Sequence, residues 1–403
     1  MNVDNKVPEI RLKGFEGEWK RFSLGELGSV ATNKRIFIHQ TSLIGDVPFY
    51  KIGTFGREPK LFISQELFED YKKRYPFPQK GDLLFSVIGS IGRVVEYTGE
   101  DEYFQDSNVV WLQHNGLIVN SFLKQFYSIV EWEGIEGSTI KHLYNRTILG
   151  TKIHTPSREE QTEIGNYFQK LDSLINQHQQ KHGKLSSIKK AMLEKMFPKQ
   201  GETTPEIRFK GFSGEWEESS LFEEAIVSTG FPFDSAEFSC SGDLLVITNG
   251  NIQNSSSAVD GKVGNRIASE KVTSLNQHIL NIGDVLVTMD GSVGRTAKVI
   301  DSRQILAQRV GRLVAKNNTE FLYQSLNTGA FLDAMTTISH GGTIKHISLT
   351  EIGSYMLLVP KNIEEQEKIG SYLQKLDALI YQHQQQITKL NNIKQACLNK
   401  MFV

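Results

Sequence analysis

Two periods govern where apolar residues fall in this chain. Over one stretch they step by alternating fours and threes, through Ile164, Phe168, Leu171, Ile175, His178, His182, Leu185, Lys189, Met192 and Met196. That is a heptad seam with a few polar members. Its register returns in Ile369, Leu373, Leu376, Ile380, His383, Ile387, Leu390, Lys394, Cys397 and Met401, and both series slip alike, at Ile188 and Ile393. The pattern predicts two long helices, 159–197 and 364–402, which agree at about 25 of 39 aligned positions. At 1.5 Å per residue each would extend about 58 Å. Ser157 with Glu160, and Asn362 with Glu365, predict capping boxes at their starts. Pro156 and Pro360 lie just upstream, and Pro198 stops the first helix.

Elsewhere the period is two. Leu83, Phe85 and Val87 alternate with Asp82, Leu84 and Ser86, then Gly89-Ser-Ile-Gly92 turns the chain into Arg93-Val-Val-Glu-Tyr97; the counterpart runs from Gly283 to Thr296. This predicts a hairpin with a Gly-Ser-x-Gly tip. A phosphate-cradling P-loop would need a helix after the glycines and a Lys-Ser or Lys-Thr pair. Instead the tips offer Ser90 with Arg93, and Ser292 with Arg295, as hydroxyl and guanidinium for DNA phosphates or a base edge. A second shared island is Thr139-Ile-Lys-His142 and Thr343-Ile-Lys-His346, each after a glycine and expected to run as strand toward the long helix. Lys141, His142, Lys345 and His346 are candidate phosphate contacts.

The chain is thus written twice. Pro8-Glu-Ile-Arg-Leu-Lys-Gly-Phe-Glu-Gly-Glu-Trp19 returns as Pro205-Glu-Ile-Arg-Phe-Lys-Gly-Phe-Ser-Gly-Glu-Trp216, each opening a block of about 200 residues that closes on a long helix. The tryptophans are expected to pack in cores. The expected fold class is α/β (α+β): two globular domains of mixed strand and helix, 1–157 and 198–358, separated by long helices at 158–197 and 359–403. Only about 20 residues separate the first helix from the second globular middle, so the helices should run antiparallel, with pseudo-twofold symmetry.

Composition bounds the rest. With 403 residues, 39% hydrophobic and 23% charged, the chain suits a two-domain globular protein. No apolar run reaches the roughly 18 residues of a spanning helix, and Met1-Asn-Val-Asp-Asn-Lys6 lacks the regions of a secretory signal, so a cytoplasmic location is expected. Cys240 and Cys397 read as small buried hydrophobes. The net charge of −1 hides segregation. Basic residues outnumber acidic ones by about two to one from Lys34 to Lys80, where Lys34, Arg35, Lys51, Arg57, Lys72, Lys73 and Arg74 are candidate DNA contacts. The bias recurs from Lys262 to Lys316, with Arg295, Lys298, Arg303, Arg309 and Arg312. Acid collects between Glu96 and Glu136, a stretch expected to face away from DNA. Places where the copies differ are candidate base readers. Ser107-Asn108 aligns with Gln308-Arg309, and Lys51–Arg57 with Val246–Ile252, which carries Asn249 and Asn251.

Catalytic signatures are missing: no Asn-Pro-Pro-aromatic motif, no P-loop, no His-Glu-x-x-His, no Gly-x-Ser-x-Gly. His178 and His182 have zinc spacing, but His182 aligns with Ile387, so register-setting is the expected role and no metal site is assigned. The alternative outside DNA binding is a duplicated coiled-coil scaffold for protein partners.

The opening motif, the Gly-Asp-Leu-Leu-Phe-Ser-Val-Ile-Gly-Ser-Ile-Gly-Arg hairpin, the Thr-Ile-Lys-His island and the Pro-x-x-x-Glu-Gln helix start together resemble the specificity subunit of type I restriction-modification enzymes. The resemblance covers essentially the whole chain; the first copy is one residue shorter, Pro156 to Gln161 against Pro360 to Gln366. It implies two target recognition domains, each reading half of a split asymmetric sequence in double-stranded DNA, with the helices setting the unread spacer. It further implies two docked methyltransferase subunits and restriction/translocase subunits, with S-adenosylmethionine, ATP and Mg bound by those partners and no cofactor on this chain, which would itself be non-catalytic.

Overall fold

A computed structural model describes residues 6–239, 242–253 and 256–403; Cys240 and the Met1–Asn5 part of the segment read for a leader lie outside them. The chain divides into two compact units, one running to His178 and adding Gln386–Val403, the other Gln179–Gln385.

The first unit contains β1 (Lys20–Ser23), α1 (Leu24–Leu27), β2 (Ser29–Ala31), β3 (Val47–Tyr50), β4 (Leu61–Ile63), α2 (Gln65–Arg74), β5 (Leu83–Ser86), β6 (Val94–Glu96), β7 (Tyr103–Phe104), β8 (Val109–Gln113), α3 (Asn120–Ile129), α4 (Asn145–Gly150), β9 (Lys152–Thr155) and the first half of α5 (Arg158–Met196). Three sheets form: β2-β8-β5-β6, β4-β3-β7 with β3 parallel to β7, and β1-β9. The second unit contains β10 (Glu217–Ser220), α6 (Leu221–Glu224), β11 (Ala225–Thr229), β12 (Leu244–Ile247), β13 (Arg266–Ile267), β14 (Val285–Thr288), β15 (Thr296–Lys298), β16 (Gln304–Leu306), β17 (Val310–Ala315), α7 (Thr319–Leu326), α8 (Ala330–Ile338), α9 (Leu349–Gly353), β18 (Met356–Val359) and the first half of α10 (Ile363–Met401). Its sheets, β11-β17-β14-β15, β13-β12-β16 and β10-β18, repeat the first unit's topology strand for strand.

Each core forms where the helix halves meet the larger sheet. In the first unit Trp19, Phe85, Phe122, Phe168, Leu398 and Met401 share one buried cluster. In the second, Trp216, Val287, Phe321, Leu373, Met196 and Phe197 do the same. Burying side chains of this size stabilises by roughly 1.5–3 kcal/mol each. The seam residues Ile164, Phe168, Leu171, Ile175, Ile369, Leu373 and Leu376 are buried, and Leu185, Ile380 and Leu390 half-buried. Cys397 is half-buried, its Sγ 3.5 Å from the Tyr167 hydroxyl.

The long helices begin one residue earlier than the pattern predicted, and their caps differ from expectation. Ser157 Oγ accepts from Glu160 N–H at 3.2 Å, but the reciprocal half of the box is replaced. The Glu160 carboxylate, 1% exposed, instead accepts two bonds from the Arg11 guanidinium, both 2.7 Å. In the second copy Glu365 accepts from Arg208 at 2.6 and 2.8 Å. A two-donor fork outcompetes a single backbone N–H for a buried carboxylate, and Glu160 raises the Arg11 pKa despite desolvation. The neighbouring residue of each opening motif caps the other helix's end: Ile10 N–H donates to Lys400 O at 3.0 Å, and Ile207 N–H to Lys195 O at 2.8 Å. The repeated motif is therefore a clamp, satisfying C-terminal carbonyls while pinning an N-terminus. With Asp172–Lys394 at 2.6 Å in the first unit and Lys189–Asp377 at 2.5 Å in the second, this fixes the paired halves as antiparallel within each unit.

Charge segregation along the chain does not survive folding. Arg35 pairs with Asp106 at 2.9 Å, Lys72 with Asp101 at 3.4 Å, and Arg74 with Asp70, so part of the acidic stretch returns to the basic run instead of facing away from it. In the second unit Lys298 pairs with Glu320 and Arg312 with Asp284, all largely buried. One strand position carries opposite charges in the two copies and pairs with the following helix at different points: Glu96 on β6 meets Lys124 on α3, whereas Lys298 on β15 lies over the Tyr323 ring and reaches Glu320 in the first turn of α7. Among the described residues no helix is long and apolar enough to cross a membrane.

Candidate nucleic-acid interface

The two sequence islands meet in space, once per unit. β5 and β6 form the expected antiparallel hairpin, as do β14 and β15. Their tips hold Gly89, Gly92, Gly291 and Gly294 at φ +68°, +80°, +71° and +77°, a region L side chains rarely adopt. The strand's last residue builds the tip. The Ser86 hydroxyl donates to Ser90 O and accepts from Arg93 N–H; the Thr288 hydroxyl does the same with Ser292 and Arg295. Beside each tip lies the Thr-Ile-Lys-His loop. Gly89 N–H donates to Lys141 O at 3.1 Å, and Gly291 N–H to Lys345 O at 2.8 Å. A third segment joins them: Val87 N–H bonds Asn108 O at 3.0 Å, and Met289 N–H bonds Arg309 O at 3.2 Å.

The loop itself is closed by paired backbone bonds between Glu136 and His142, and between His340 and His346. Gly137 and Gly341 sit at φ +105° and +108°, where an added Cβ would lie 2.1 and 2.3 Å from the carbonyl oxygens of Ile140 and Ile344. Only glycine fits. The apex exposes Thr139, Lys141, Thr343 and Lys345, with Ile140 and Ile344 at 57% and 64% exposure. Beyond the loop the chain is not the expected strand: α4 and α9 intervene before β9 and β18, burying Ile148 and Ile352.

On this common frame the copies differ. In the second unit Asp290 accepts from Arg309 Nη1 at 2.8 Å and from His346 Nδ1. Burial pushes the Asp290 carboxyl up, but the bonds from Arg309 and His346 outweigh it and leave the group below its ordinary range; Arg309 is raised in turn by Asp290. In the first unit Ile88 stands at the Asp290 position, each bridged to its loop histidine, and His142 stacks on Tyr144 at 6.1 Å. Register confirms that Asn108 matches Arg309, since β5 pairs Ser86 with Val109 and β14 pairs Thr288 with Val310.

Other candidates fall elsewhere. Arg93 is half-buried and its Nη1 donates to Phe55 O at 3.0 Å, so its guanidinium serves the 51–57 loop. Arg295 lines an open cavity of about 990 Å³ with Lys189, Tyr323, Asp377 and Tyr381, away from the loop apex. The alignment of Lys51–Arg57 with Val246–Ile252 is off by two: Gln105 N–H bonds Tyr50 O where Ala307 N–H bonds Ile247 O. Lys51 therefore matches Thr248. Asn251 is buried and fastens its own loop, donating to Asp260 O and Val263 O at 2.9 and 2.6 Å, so it is no base reader. Asn249 is half-buried with its Oδ1 unpartnered. Lys34 lies over the Tyr75 ring at 4.9 Å; Arg57, Lys73 and Gln308 are exposed. Sequence reading missed Ser86, Thr288, Ile88 and Asp290. The four-residue spacing from Ser86 to Ser90 and Thr288 to Ser292 was the available signal for the first two; nothing local marked the others.

A family model described as the type I restriction modification DNA specificity domain matches residues 16–187 and 213–392. A putative type I restriction enzyme specificity subunit of Haemophilus influenzae is 47% identical over 158 residues, 39% of this chain; the match spans 41% of that relative's length. A type I restriction enzyme specificity subunit of Methanocaldococcus jannaschii, MjaVIII, is 23% identical over 91% of this chain and 94% of its own. The crystal structure of a type I restriction-modification system S subunit from M. genitalium shares the fold, with TM-score 0.69, 16% identity, and coverage of 98% of this chain and 99% of that one.

Proposed function

This chain belongs to the type I restriction-modification DNA specificity family, and from that premise we propose that it is the sequence-recognising subunit of such a complex, each unit reading one half of a bipartite asymmetric target in double-stranded DNA. One observation carries this reading: the same backbone bonds join three segments in each unit, and the joined segments carry Lys141 and Lys345 alike but Ile88 with Asn108 in one unit and Asp290 with Arg309 in the other. Shared lysines suit phosphates, which carry no sequence information, and differing side chains suit different bases. The antiparallel helix halves serve in this reading to set the unread spacer and to dock two methyltransferase subunits, with restriction/translocase subunits completing the assembly. S-adenosylmethionine, ATP and Mg belong to those partners, and this chain does no chemistry itself.

Methylome sequencing of cells expressing the chain with its modification subunits tests the reading. A split motif is expected, absent from cells lacking this chain; modification without a motif, or an uninterrupted motif, would count against it. Inserting one heptad in α5 should alter spacer length or block assembly while leaving half-site bases unchanged.

A further inference from the structure

The three-segment frame puts one pair of residues at equivalent register positions in each unit: 88 and 108 in the first, 290 and 309 in the second. Each pair is tethered by a matching backbone bond, from Val87 N–H to Asn108 O and from Met289 N–H to Arg309 O, while Gly89 and Gly291 bond the loop lysines. In the second unit the Arg309 side chain is 63% exposed, whereas the Asp290 carboxylate that holds it is 14% exposed. Arg309 sits at φ +69°, an uncommon conformation for a residue with a Cβ. The backbone and the carboxylate together hold the guanidinium at the surface.

That arrangement suits a base better than a phosphate. A guanidinium 2.8 Å from a carboxylate carries little net charge toward a phosphate, and the carboxylate repels one. A base edge makes no such demand. Guanidinium has five N–H donors, so bonding one nitrogen to Asp290 leaves donors for guanine O6 and N7. A carboxylate has about four acceptor sites; Asp290 uses two, on Arg309 and His346, leaving capacity for the N4 amino group of the paired cytosine. In the first unit Asn108 has the amide chemistry that matches adenine N6 and N7, and Ile88, half-buried, has the aliphatic surface that suits a thymine methyl.

We propose that these two residue pairs read one base pair each, Arg309 with Asp290 specifying G·C in the second half-site and Asn108 with Ile88 specifying A·T in the first. This rests on the DNA-reading function proposed above. A good bidentate contact discriminates by about 1–3 kcal/mol, which at 1.4 kcal/mol per decade is roughly 5- to 150-fold against the wrong base.

The test is methylome sequencing, in the assembled modification complex, of wild type, R309N/D290I, the reverse exchange N108R/I88D, and R309K. The first exchange should convert one G·C of the second half-site toward A·T with the first half-site intact, and the second should do the opposite. R309K, which keeps the charge but loses the fork, should relax that G·C by at least fivefold and remains informative if an exchange fails to fold. Unchanged bases in R309K and in whichever exchanges fold, or loss spread over both half-sites, would overturn the proposal. A wild-type complex with no split motif would instead sink the function on which it rests.

Discussion

Arg208→Ala removes the donor fork from a glutamate that has nowhere else to turn. Glu365 is 1% exposed and accepts from Arg208 at 2.6 and 2.8 Å, while Arg208 also donates to Gly214 O at 2.5 Å. Removing one partner of a buried pair strands the other charge, at a cost of about 3–5 kcal/mol. That is a large part of the roughly 5–15 kcal/mol that holds a domain together. At a urea dependence of about 2 kcal/mol per molar, the midpoint should fall by about 1.5–2.5 M. The assay is urea titration read by hydrogen exchange of β10–β18 peptides, which locates the loss in the second unit. Arg208→Lys, which cannot fork, should recover part of it. R208M/E365L, removing both charges together, should be as stable as wild type or more stable, by up to about 4 kcal/mol. A midpoint shift under about 0.3 M for Arg208→Ala would refute the reasoning and reduce the repeated opening motif to a linker.

The same motif predicts that Arg11→Ala unfolds peptides of the first unit preferentially, measured in the same way. Lys141→Ala and Lys345→Ala should each flatten the dependence of log affinity on log salt by about one phosphate contact, with the methylated motif unchanged; an altered motif would show that they read bases. Gly341→Ala forces a Cβ against Ile344 O at a positive φ, so DNA affinity should drop while the melting temperature of the second unit shifts by only a few degrees; undiminished binding would exclude the loop from the interface. Because the Asp290 carboxyl lies below its ordinary value, its stabilising contribution is complete above the unfolded-state value of about 3.9 and is lost as pH falls through the folded one. The stability gap between wild type and Asp290→Asn should therefore narrow below about pH 4; a gap that widens with acid has the wrong sign.

Repetition made the frame legible. Two copies of Ile164–Phe168–Leu171–Ile175 spacing announce helices that one copy would leave ambiguous, and a hairpin read twice around Gly-Ser-x-Gly is hard to mistake. What the sequence could not show is how segments about 50 residues apart meet. The contact of Gly89 with Lys141 comes from strand order, and no local pattern encodes it. Basic residues misled for a related reason. Arg93, Arg312 and Lys298 look like free cations in a string of letters, but folding supplies Phe55 O, Asp284 and Glu320. Basic runs report charge; only tertiary structure reports whether that charge is already engaged.

The opposite charges at one strand position restrict how such a chain can be reshuffled. Recombination between the two halves of a gene, or with a related gene, that moved β15 without α7 would bring an ammonium up against Lys124 in one product and leave the nearly buried Glu320 without its ammonium in the other. Crossovers that yield folded offspring should thus fall outside the block from β5 to α3 and its counterpart from β14 to α7, which makes that block the inherited unit in which new sequence preferences travel.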